Sequence, residues 1–120
     1  MFGLFKKKSY NIDFNEENKE QFTVLLTEIY EILHDSANSF QANSISQIML
    51  TVQKDDKEMF KDKVISSELL GGAGSVVDVW IEDEIKMKRL DNLINSFLEL
   101  TIKSGLNHRA VKSRIIKKRK

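Results

Sequence analysis

The sequence has no cysteine and no proline, and only five glycines, two histidines and one tryptophan among its 120 residues. The missing cysteine excludes a disulfide framework, thiolate nucleophiles and thiolate metal sites. The missing proline leaves glycine and short polar residues to punctuate the backbone. His34 and His108 form no H-x-x-x-H pair, so metal or hydrolytic catalysis lacks a ligand set. No apolar run approaches the roughly 18 residues of a membrane span, and no signal-peptide core is present. These absences favour a soluble, cytoplasmic, non-enzymatic protein with no metal and no cofactor.

What is present describes an ordinary globular chain, 41% hydrophobic and 31% charged. A chain of this length has room for one domain, burying about two-thirds of its unfolded surface. The net charge of +1 hides a strong segregation. Residues 9–105 hold nine Lys/Arg against all eighteen Asp/Glu, a balance of −9. Residues 1–8 add +3 through Lys6, Lys7 and Lys8, and residues 106–120 add +7 with no acid among them. The chain therefore divides into a basic N-terminal arm (1–11), a helical domain (12–105) and a basic C-terminal tail (106–120). In the arm, Phe2, Leu4 and Phe5 stand beside the three lysines, a pairing that suits either an anionic membrane surface or packing against the body.

Helical periodicity runs through the domain. Asn15 before Glu16 and Glu17 is an N-cap signal, followed by Phe22, Leu25, Leu26, Ile29, Ile32 and Leu33 on one face. Short polar residues at 36–39 loosen that helix. A second stretch, about 40–53, turns Ile45, Ile48, Met49 and Val52 inward. Asp55 or Asp56 can cap a third, with Met59, Phe60, Val64, Ile65, Leu69 and Leu70 facing the core. The last strong helix opens in Glu82-Asp83-Glu84, carries Ile85, Leu90, Leu93, Ile94, Phe97, Leu98, Thr101 and Ile102 inward, and can end at Gly105. The fold expected is an all-α, single-domain bundle of four or five helices. In the tail, Leu106, Ala110, Val111, Ile115 and Ile116 give only a weak amphipathic pattern among the basic residues.

The sharpest break is Leu70-Gly71-Gly72-Ala73-Gly74-Ser75-Val76-Val77-Asp78. It reads as a glycine-rich interhelical turn. Gly71 sits where a left-handed residue would close one helix, and Ser75 and Asp78 are spaced as a capping box for the next. Residues 76–81 suit a strand by β-branching, but Val76, Val77, Trp80 and Ile81 also share one helical face, so a helix with Trp80 in the core is expected. Gly71, Gly72, Gly74, Ser75, Asp78 and Trp80 form the candidate functional turn. The phosphate-binding motifs do not fit it: no lysine precedes Ser75, and Val77 occupies the third glycine position of the dinucleotide fingerprint.

This aliphatic-G-G-x-G-S-x-x-D pattern, continuing to Leu90, Leu93 and Phe97, resembles a signature of small uncharacterised bacterial proteins. The likeness covers about residues 64–106, with Ala73 where such proteins carry Met and a more β-branched stretch than usual. It implies a helical bacterial domain without an assigned activity. By analogy with small acidic immunity or antitoxin proteins, the expected role is a protein-interaction module whose acidic body engages a basic protein. The alternative is an accessory protein that binds nucleic acid or an anionic membrane through its basic termini. Its candidate polyanion contacts are Arg109, Lys112, Arg114, Lys117, Lys118, Arg119 and Lys120. A ligand-binding protein using the Gly71–Asp78 turn is the third reading.

Overall fold

Helix α1 (Glu16–Asp35) starts where its cap dictates: the Asn15 side chain accepts from the Asn18 amide at 2.7 Å, and Glu16 and Glu17 face the positive end of the helix dipole. The computed structural model describes residues 10–118, with side chains through Ile115. Five further helices follow among these residues: α2 (Ser39–Gln53), α3 (Lys57–Val64), the single turn α4 (Ser67–Leu70), α5 (Glu84–Lys103) and α6 (Arg109–Lys118). The architecture is all-α, with no strand among the described residues, and none of these helices is long and apolar enough to cross a membrane.

Three helices end in the same hydrogen-bonded motif. After α1, the Asn38 and Ala37 amides donate to the Leu33 and His34 carbonyls. After α2, Asp56 and Asp55 donate to Thr51 and Val52. After α5, Leu106 and Gly105 donate to Thr101 and Ile102. The motif needs one residue with positive φ, filled by Ala37 (65°), Asp55 (55°) and Gly105 (124°). The three-residue reversal after α1 folds α2 back against it, and α1 also packs on α5.

Between them lies the core. Phe22, Phe60 and Phe97 are fully buried, and Phe14 joins them. Their ring centroids are 5.1 to 6.4 Å apart in edge-to-face pairs, each contributing about 0.5–1.5 kcal/mol beyond area burial. Leu26, Ile29, Leu33, Ile45, Ile48, Leu90, Ile94 and Leu98 fill the rest from the faces the periodicity marked.

The expected third helix is broken. Asp56 caps α3 through the Met59 amide, but the chain unwinds at Ile65 and turns extended at Ser66 before α4 begins. On α3 the inward face is Phe60 and Val64, spaced i, i+4, which turns the neighbouring Met59, expected inside, outward to 44% exposure; Leu69 stays buried on α4. Ile85, also expected inside, is 82% exposed because it lies in the first turn of α5, ahead of the stretch that packs on α1. In the described part of the basic tail Leu106 is buried ahead of α6, and α6 packs on α5 with Val111 and Ile115 buried.

Ahead of α1, residues 10–14 cross the corner between α5 and α6. The Asp13 amide donates to the Ser104 carbonyl at 2.7 Å, and Ile12 is 2% exposed. Gly105 lies directly under this strap, where a Cβ would run into the Asn11 carbonyl.

Candidate functional site

Gly71 stands at the end of a helix as expected, but its conformation and the roles of Ser75, Asp78 and Trp80 differ from the sequence reading. Gly71 is extended (φ −76°, ψ −172°), not left-handed, and the positive φ falls instead on Gly74 (87°). Gly72 is exposed, with open space where a Cβ would project. Ser75 is buried, and its hydroxyl donates back to the Gly71 carbonyl, so it staples the turn shut rather than capping a helix. Gln41 donates to the Gly74 carbonyl at 2.9 Å, tying the turn to the start of α2.

No capping box forms with Asp78. After Ser75 the chain makes one 3-10 turn, Val76–Asp78, and then runs extended. An extended chain alternates its side chains, so Val79 and Ile81 point inward and Trp80 points out. Trp80 is 74% exposed, which corrects the expectation of a core position. The Ile81 amide donates to Met87 Sδ at 3.2 Å, fixing the segment against α5. The helix start belongs to Asp83, whose carboxylate accepts from the Ile85 and Lys86 amides at 3.0 and 3.1 Å.

The result is an exposed loop with two apolar projections, Trp80 and Ile85, among four exposed carboxylates, Asp78, Glu82, Asp83 and Glu84. None of these carboxylates forms an ion pair with a described residue. Elsewhere Arg89 is bound to Glu28 at 2.8 Å and Lys19 to Asp55 at 3.1 Å. Ile85 escaped the sequence reading because it continues the helical stripe of α5; its place in the capped first turn was the signal for exposure. The amides of Ser75, Asp78 and Val79 bond within the turn, and the helix start that an anion would need there is a single 3-10 turn.

The histidines serve separate elements. His34 stacks on Tyr30 at 5.7 Å, and His108 Nδ1 accepts from the Ala110 amide at 3.0 Å at the start of α6. Among the described residues no three His, Asp or Glu side chains converge to hold a metal ion. Of the candidate polyanion contacts, Arg109 and Lys112 are exposed on α6 and Arg114 is half-buried. The side chains of Lys117 and Lys118, all of Arg119 and Lys120, and the N-terminal Lys6–Lys8 lie outside the described part. The chain matches no protein-family model, no curated protein and no solved structure, so a reading of its function starts from these surfaces.

Proposed function

We propose that the protein is a non-enzymatic interaction module that docks a basic protein through the Asp78–Ile85 loop. The observation that carries this is the sole tryptophan standing 74% exposed on a segment whose neighbours, Val79 and Ile81, are locked in the core. A large aromatic held outward on fixed backbone binds with little ordering cost, and tryptophan is enriched among residues that dominate interface energy. Asp78, Glu82, Asp83 and Glu84 supply a negative rim, which selects a cationic partner and speeds encounter. An inhibitor of the immunity or antitoxin kind, masking a basic toxin or nuclease surface, is the sharpest form of this reading. The bacterial resemblance of the glycine turn adds to it.

The test is capture from nuclease-treated host lysate with three full-length baits: wild type, Trp80→Ala/Ile85→Ser, and Arg109→Gln/Lys112→Gln. One basic protein retained stoichiometrically by the first and third, and weakened about thirtyfold or more by the second, is expected. Its binding to purified wild type should shift Trp80 emission to the blue. Capture indifferent to the Trp80/Ile85 substitutions refutes the assignment of the loop.

A further inference from the structure

The segment around Trp80 brings backbone groups to the surface as well as a side chain. In an extended chain, successive residues turn their N–H and C=O to opposite edges. The Val79 amide donates to the Val76 carbonyl and the Ile81 amide to Met87 Sδ, each at 3.2 Å, so that edge is turned into the protein. The Trp80 N–H and C=O leave by the other edge, and neither bonds to a described residue. Val79 and Ile81 are buried, which holds this shape before anything binds. Exposure keeps the period of two as far as Glu82, which shares the outward face with Trp80; Asp78 stands exposed two residues before the indole.

We infer that the loop takes its partner as an extended basic segment, paired with the Trp80 backbone and carrying a cation at every second residue. This rests on the loop being the docking site proposed above. The first argument is the edge itself: unpaired groups on a fixed extended backbone are a template for strand addition by another chain. In an antiparallel pair, the partner residue opposite Trp80 exchanges both hydrogen bonds with it, Cα atoms about 5.5 Å apart. A helical partner satisfies its own backbone, and covering the Trp80 N–H and C=O with one would bury both unpaired.

The second argument is the outward face. Residues opposite each other in such a pair project their side chains to the same side, so the partner residue lies beside the indole. Arginine there gains cation–π attraction. The residues two positions before and after it are carried towards Glu82 and Asp78, and lysine or arginine at that spacing meets a carboxylate on each side. Both carboxylates are exposed and in no ion pair with a described residue, whereas Asp83 is committed to the cap of α5.

The experiment titrates fluorescein-labelled peptides with the full chain by anisotropy, with the fold of each variant checked by circular dichroism. The probes are Thr-Lys-Thr-Arg-Thr-Lys-Thr, the same peptide N-methylated at arginine, and Lys-Lys-Arg-Thr-Thr-Thr-Thr, which keeps the charge without the period. Wild type should bind the first peptide tightest and lose about tenfold on N-methylation, which removes the hydrogen bond to the Trp80 carbonyl. The block peptide should bind about fivefold more weakly. Trp80→Ala and Asp78→Asn/Glu82→Gln should each weaken the first peptide about tenfold. Equal affinity for the N-methylated peptide overturns the backbone pairing; if that binding still requires Trp80, the loop remains the docking site. Equal affinity for the block peptide overturns the alternating spacing. Binding that survives Trp80→Ala overturns the pairing and the loop assignment together. No binding of any peptide overturns the inference, while lysate capture that depends on Trp80 and Ile85 would keep the loop.

Discussion

Replacing Gly105 with alanine should unsettle the strap of residues 10–14 and the α5–α6 corner beneath it. At φ 124° an L-residue is strained by about 1–2 kcal/mol. The new Cβ would also meet the Asn11 carbonyl, a backbone atom that cannot rotate away. Moving the strap breaks the Asp13–Ser104 hydrogen bond, about 1 kcal/mol, and uncovers part of Ile12, about 1–2 kcal/mol more. The total is about 3–5 kcal/mol, a large share of the roughly 5–15 kcal/mol that stabilises a domain. With a urea dependence of about 2 kcal/mol per molar, the unfolding midpoint should fall by about 1.5–2.5 M, followed by far-UV circular dichroism. Gly72→Ala is the matched control: its Cβ enters open space, and the midpoint should hold or rise slightly. A Gly105→Ala shift under about 0.5 M, or an equal loss at Gly72, would refute the close approach of strap and corner.

Other substitutions separate roles that the sequence left merged. Asp83→Ala removes the cap of α5 and should cost about 0.5–2 kcal/mol in chemical unfolding, whereas Asp78→Ala should stay within about 0.5 kcal/mol. Equal losses would restore the capping box. Ala37→Gly, at φ 65°, should stabilise by about 0.5–1 kcal/mol in the same assay, and Asp55→Gly should gain less because it surrenders the ion pair with Lys19. Trp80, alone in the chain, should show the red, acrylamide-quenchable emission of a water-exposed indole, and Trp80→Ala should change stability by less than about 0.5 kcal/mol. Blue, shielded emission would mean that residues 79–81 do not alternate as described.

The features readable from sequence are those decided within one helical turn. Asn15, Asp56 and Gly105 act locally, and each caps or ends its helix as its neighbours imply. The stripes of α1, α2 and α5 repeat often enough for burial to follow the period. Residues 76–81 satisfied both a helical and an alternating pattern over too few positions to separate them, and that ambiguity put Trp80 on the wrong side of the surface. Tyr10, Ile12 and Phe14 alternate with Asn11, Asp13 and Asn15, a period of two that marks a half-buried extended segment, but that pattern does not say which elements cover it. The meeting of Tyr10 with His108 depends on how α5 and α6 close the bundle, which local spacing does not encode.

The strap also orders the history of the chain during synthesis. Helices α1 and α2 can pair as soon as both have left the ribosome, because their contacts are close in sequence. Phe14 can settle on Phe22 and Phe60 early, but Ile12 must wait, because Ser104 and the helix corner that anchor the strap are made about ninety residues after it. Through that interval the nascent chain carries Ile12 uncovered ahead of α1, a natural point of engagement for a holding chaperone and a place where premature release would favour aggregation.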